Sequence, residues 1–136
     1  MSVEATIGIA NSALTAQSQR ITLIAQNLAN ADSINSPEGG PYQRRIAIFE
    51  PQQVGDNSNA GIGVKVAAVM KDSAPPNEVF DPSNPFADAN GAVKEPNVNP
   101  VFEMVDMMQA TRSYQANLSV IQSAHTSAMK TLDLLK

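Results

Sequence analysis

Apolar residues recur every seven positions at both ends of the chain and lose that rhythm in between. Near the start the step is held by Ile7, Leu14, Ile21 and Leu28, with Ala10, Gln17, Ile24 and Ala31 at the intervening positions. Near the end it is held by Met107, Tyr114, Ile121, Ala128 and Leu135, with Ala110, Asn117, Ala124 and Thr131 between them. Stripes of this kind predict two long amphipathic helices that need partner helices. The first is expected to start at a Ser2 cap, with Glu4 near its positive pole, and to run to about Asn30. The second is expected to start at an Asn99 cap, with Pro100 in its first turn, and to run through Leu135. Glu103 and Asp106 near its start read as acids that complement the helix dipole, with Lys130 and Lys136 near the opposite pole.

The middle follows another pattern. Pro37-Glu38-Gly39-Gly40-Pro41 is a turn cluster. Tyr42 to Phe49, closed by Pro51, and the alternating segment Gly63 to Val69 predict a β-hairpin with an exposed polar tip at Gly55 to Asn59. The hairpin is expected to project from one end of the helix pair. Residues 72–100 contain Pro75, Pro76, Pro82, Pro85, Pro96 and Pro100, which argue against a helix or a central strand. An irregular, extended course is expected there, with a turn at Asn90-Gly91 and with Phe80 and Phe86 pinning it down. The fold class is therefore mainly α with a small β part. Residues 1–31 and 99–136 form an antiparallel helical coiled-coil domain, and residues 32–98 form the hairpin and Pro-rich middle region.

Composition sharpens this. Only Arg20 is charged between Thr6 and Asn30; the polar face of the first helix is Ser, Thr, Gln and Asn. A solvated helix face usually carries Lys and Glu, so an uncharged one suits close packing on several sides. The packing positions are expected to be Ile7, Leu14, Ile21, Ile24, Leu28, Met107, Tyr114, Asn117, Ile121 and Leu135. Tyr42, Arg44 and Arg45 are expected to make a hairpin contact between subunits. The net charge of −4 argues against nucleic acid as a partner. No apolar run approaches the roughly 20 residues of a membrane span, and no basic start followed by an apolar block marks a cleaved signal. The absence of cysteine removes disulfides and thiolate chemistry.

Candidate chemistry is sparse, and no catalytic, metal or cofactor site is expected. His125 has neither a nucleophile nor an orienting carboxylate placed beside it, so it reads as a packed or rim histidine. Glu103 and Asp106 share a helix face but read as first-turn acids before they read as an acid–base pair. Asp88 to Gly91 lacks the flanking acids of a calcium loop, and Gly61-Ile62-Gly63 lacks the third glycine of a dinucleotide loop. Met104, Met107, Met108 and Met129 make the second helix adaptable as a packing face. Asn27 and Asn117 sit beside apolar positions, where one buried asparagine can fix register and a surface position serves equally well.

Leu23-Ile24-Ala25-Gln26-Asn27-Leu28-Ala29-Asn30-Ala31 resembles the N-terminal signature of bacterial flagellar rod and hook proteins. Pro37 to Arg45 resembles the segment that follows this helix in proximal rod members of the family. Asn97-Val98-Asn99, then Glu103 to Met108 and Ala110 to Asn117, resembles the family's C-terminal signature. Asp32-Ser33 and Gln26 depart from the usual pattern. The resemblance implies a structural, non-enzymatic subunit of the proximal rod. Such a subunit is exported unfolded by the flagellar type III apparatus, without a cleaved signal. It polymerises in the periplasm into the helical drive shaft between motor and hook. The implied partners are further copies and related FlgB-like and FlgF-like rod proteins, without direct membrane insertion. The residues alone also admit an exported coiled-coil adaptor or chaperone acting in solution.

Overall fold

The computed structural model describes residues 3–55 and 61–134. Six elements follow in order: α1 (Val3–Ala29), β1 (Arg45–Val54), β2 (Gly61–Lys71), β3 (Asn77–Phe80), β4 (Ala92–Glu95) and α2 (Pro100–Asp133). The two terminal helices and a first hairpin appear as the sequence predicts. The expected Ser2 cap and Lys136 lie outside the described residues. At the start of α2, the Asn99 Oδ1 accepts the N–H groups of Val101 and Phe102 at 3.0 and 3.3 Å, with Pro100 in the first turn. Two otherwise orphaned donors are thereby satisfied, and Pro100 has no N–H to lose there.

The helices pack antiparallel. At one end Asn27 meets Glu103 and Arg20 meets Asp106. At the other, Val3 and Thr6 share a shallow surface hollow with Ser119, Val120, Ser123 and Ala124. With 34 residues against 27, α2 outruns α1, and from about His125 onward it extends past the first described turn of its partner. The buried positions of the pair are mostly small: Ala5, Ala10, Ala16 and Ala110, with Ile24 the large apolar exception. Small residues bring helix backbones close and leave the longer side chains at the rim of the seam.

The first hairpin does not project. It lies lengthwise along α1. The strands pair from Arg45↔Lys71 to Val54↔Gly61, with a bulge at Ile48/Phe49 that leaves Ala67 between the partners of those two residues. At the Arg45 end the ribbon touches Asn27, and near its tip Val54 reaches Gly8. A Cβ on Gly8 would lie 2.7 Å from a Val54 methyl, and one on Gly63 would meet Ser12 and Val54. These glycines permit the close approach. The Ser12 hydroxyl accepts the Val64 N–H at 3.1 Å, at the outer edge of β2.

That contact also explains why Pro51 does not end the strand. Pro51 pairs with Val64, whose N–H turns away to Ser12. The pair is thus one without ladder bonds, and the missing proline N–H faces the free edge of β1. A two-stranded ribbon has only edge strands, which is where proline is tolerated.

The Pro-rich segment holds a second, four-residue ribbon that the sequence reading did not foresee. β3 and β4 pair from Asn77↔Glu95 to Phe80↔Ala92. All the prolines lie outside these strands, in the flanks or the connecting loop. The expected turn at Asn90-Gly91 is present: Gly91 has φ 77° and donates to the Asp88 carbonyl. A side chain at Gly91 would also crowd Pro82 and Phe80. Val93, Pro96 and Val98 are buried and hold this ribbon in place. Phe80 and Phe86, expected to pin the segment, are instead exposed.

Candidate assembly surface

Three separate segments converge on one asparagine. Asn27, in the last turns of α1, is 1% exposed. Its Nδ2 donates to the Arg45 carbonyl at 2.9 Å and to Glu103 Oε2 at 3.1 Å. Its Oδ1 accepts the Arg45 N–H at 2.9 Å and the Tyr42 hydroxyl at 3.0 Å. Both donors and both acceptor sites of the amide are used. Toward Arg45 the side chain acts as one more residue of a neighbouring strand, covering the free edge where β1 begins.

Glu103 completes this hub. The sequence reading made it a first-turn acid that complements the helix dipole; it is also 1% exposed and bound to distant residues. Arg44 Nε donates to its Oε1 at 2.5 Å. The same guanidinium reaches Asp106 at 3.3 Å and Asp72 at 3.5 Å, and Arg20 approaches Asp106 at 3.7 Å. Burial pulls the Arg44 pKa down, but the hydrogen bond and charge of Glu103, helped by Asp106 and Asp72, outweigh it and raise the pKa above the ordinary value. Arg44 thus stays charged at any physiological pH. A buried carboxylate is tolerated because it is both paired and hydrogen-bonded. Asn97 extends the network: its Oδ1 accepts the Arg44 N–H at 2.8 Å and its Nδ2 donates to the Ala74 carbonyl at 2.9 Å. That one side chain splices the second ribbon to the hub.

Beside the hub lies an exposed corner. Glu38 takes hydrogen bonds from Arg45, at 3.1 Å, and from Lys71. The Lys71 hydrogen bond and charge, with a smaller contribution from Arg45, hold the Glu38 carboxyl below the usual range. Tyr42 packs beneath the Arg45 guanidinium, 5.9 Å from its ring centroid. All three residues expected at a contact between subunits, Tyr42, Arg44 and Arg45, make bonds inside the chain. Arg45 stands at the rim.

Among the expected packing positions, Ile24 is buried. Ile7, Leu14, Ile21, Leu28, Met107, Tyr114, Asn117 and Ile121 are half-buried, and Leu135 lies outside the described residues. Asn117 bonds within its own helix, to the Ser113 carbonyl, and His125 is exposed. The outer face of α2 is more apolar than a solvated helix requires. Val101, Met104, Val105 and Met108 are exposed on it near its start, with Phe102 beside them, and on the overhang Met129 and Leu132 are exposed where the seam side of α2 outruns α1. Among the described residues no group of His, Cys, Asp and Glu is arranged to hold a metal, and no helix is long and apolar enough to cross a membrane. Sequence reasoning missed the pairing of Asn27 with Glu103 and the roles of Asn97 and Ser12. Their only local signal was two polar side chains, Asn27 and Glu103, interrupting apolar stripes.

A helix pair with a polar lock at one end, an overhang at the other and uncovered apolar flanks defines a subunit built for assembly. The family model for the flagellar basal body rod FlgEFG protein C-terminal region matches residues 89–134. The flagellar basal-body rod protein FlgC of Salmonella typhimurium is 48% identical over 126 residues, covering 93% of this chain and 92% of its own length. FlgC of Escherichia coli O157:H7 is 49% identical over the same shares. FlgC of Borreliella burgdorferi is 38% identical over 151 aligned residues, covering 100% of this chain and 99% of its own length. The chain belongs to the FlgC family of flagellar basal-body rod proteins, a structural family and not an enzymatic one.

Proposed function

We propose that the chain polymerises through its helix pair, with further copies and with FlgB-like and FlgF-like rod proteins, into the proximal part of the drive shaft. The observation that carries this reading is the apolar surface of α2 that α1 leaves uncovered at both ends, on the outer face near its start and along the seam side of its overhang. A monomer leaves large apolar patches exposed chiefly where another protein covers them. One patch lies beside the hub and the other on the overhang, so contacts between them run head to tail and give an open helical filament. Torque then passes through repeated helix contacts and no chemistry occurs. The half-buried positions Ile7, Leu14, Ile21, Leu28, Met107, Tyr114 and Ile121 serve both the seam and its neighbours. Arg45, at the exposed corner with Glu38 and Lys71, is the hairpin residue available to a neighbouring subunit. Export by the flagellar type III apparatus to the periplasm, without a cleaved signal, belongs to the same reading.

The test uses Phe102→Ser and Leu132→Ser. Each should leave the helical circular dichroism of the free chain intact while removing the subunit from purified basal bodies and abolishing motility. Motile cells with complete rods in both variants would refute assembly through this face.

A further inference from the structure

The net charge of this molecule traces to one segment. Residues 72–98 carry five acids (Asp72, Glu78, Asp81, Asp88, Glu95) and one base, Lys94. The whole chain has 13 acids and nine bases, which leaves eight of each elsewhere. The rest of the chain is therefore neutral overall, and the net charge of −4 equals that of the segment of the second ribbon.

The same segment presents two strongly exposed aromatic residues. Phe80 is 75% exposed and Phe86 is 58% exposed. Phe80 is the strand partner of Ala92, and Phe86 lines one hollow with Ala92, so both stand about the same strand end. Their loop is braced. Asp81 Oδ1 accepts the Ser83 N–H and hydroxyl, Asn84 Oδ1 accepts the Phe86 N–H, and Asp88 Oδ1 accepts the N–H groups of Asn90 and Ala92. These bonds also hold the Asp81 and Asp88 carboxyls below the usual range, which keeps them ionised. Exposed aromatic side chains on a preorganised loop are the usual anchors of a protein interface.

We propose that the Phe80–Phe86 pad is a docking surface for a different protein that presents an apolar patch ringed by Lys and Arg. Charge complementarity selects this occupant. A second copy is disfavoured because the rest of this chain, with eight acids and eight bases, brings no net positive charge to the contact. Anionic lipid surfaces and nucleic acids are repelled by the same carboxylates. This inference rests on the rod reading above.

In flagellated cells, the full-length chain with p-benzoylphenylalanine at position 86 is irradiated, and the basal bodies are purified. The expected product is a crosslink to a different protein, at a segment containing Lys or Arg among apolar residues. Adding Asp81→Asn, Asp88→Asn and Glu95→Gln keeps hydrogen-bond acceptors but removes charge, and should lower the crosslink yield by about tenfold. A crosslink to another copy of this chain, a yield unchanged by charge removal, or no protein crosslink would each overturn the proposal. Recovery of the unsubstituted chain in basal bodies is scored alongside. Its absence would refute the rod reading, whereas intact rods lacking the crosslink would refute the docking surface alone.

Discussion

The two ends of the helix pair are held by different physics. At the end where α1 meets the start of α2, Asn27, Arg44 and Glu103 tie both helices and β1 through directional, mostly buried bonds. Toward the other end α1 buries only the small side chains Ala5, Ala10 and Ala16, and the neighbouring Val3 and Val120 remain exposed. A buried polar hub is unforgiving, because each member lost strands its partners without water. An alanine seam is permissive and gains little per residue, since a small side chain buries little area. The chain thus fixes the geometry of one end within the subunit and leaves the other to be completed by neighbours.

The largest effect should come from the hub. Arg44→Met leaves the Glu103 carboxylate buried with Asn27 as its remaining described partner, which should cost about 3–5 kcal/mol. That is a large share of a small domain's stability, so denaturant titration should show a mostly unfolded chain. Wild-type-like unfolding would show that both ends are equally permissive. Asn27→Leu should cost about 3 kcal/mol, since it strands the Arg45 backbone groups and the Tyr42 hydroxyl together. Next comes the alanine seam. Ala16→Leu inserts bulk at a position 1% exposed and should cost roughly 1–3 kcal/mol, read as a shifted unfolding midpoint.

Tyr42 sharpens the contrast through pH. Burial raises its pKa, Arg45 opposes this, and Glu103 and Glu38 add to the rise. A raised folded-state pKa means that the folded chain holds the phenolic proton more tightly. The resulting stability is complete below the ordinary tyrosine value near 10 and is lost as pH rises through the folded value. The difference in stability between the wild type and Tyr42→Phe, about 1 kcal/mol at neutral pH, should therefore shrink in strongly alkaline solution. A pH-independent difference would remove the hydroxyl from the hub. The smallest effect on the free chain is expected for Met129→Ser on the overhang: within about 0.5 kcal/mol by denaturation, while incorporation into basal bodies is lost.

The helices were legible because their period repeats four and five times, and the Asn99-Pro100 start because capping is local. The hub was not legible, because Arg44 and Glu103 are 59 residues apart. On sequence grounds, an acid near a helix start is explained by the dipole before any distant partner is considered. Pro51 misled because the rule against strand proline applies to central strands, and this ribbon has none. The second ribbon was hidden for a related reason. Its strands are only four residues long, shorter than an alternation can establish, and prolines crowd both flanks. Only Asn90-Gly91 signalled a turn there. Of the expected exposed tip, Gly55 to Asn59, residues 56–59 fall outside the described residues. The hairpin's course along α1 depended on Gly8, Gly63 and Ser12 acting together across the fold, which no single window of sequence displays.

Because the first ribbon lies along α1, that helix is flanked on two sides by its own chain, while α2 packs along α1 and meets the rest of the chain at Arg44, beside its start. Few substitutions in α1 escape the demands of internal packing. The outer face of α2 is answerable only to whichever molecule sits next to it. Changes there can alter which neighbour is accepted without disturbing the fold beneath. A shaft assembled from several related chains can in this way keep one shared framework while each chain acquires its own place in the stack.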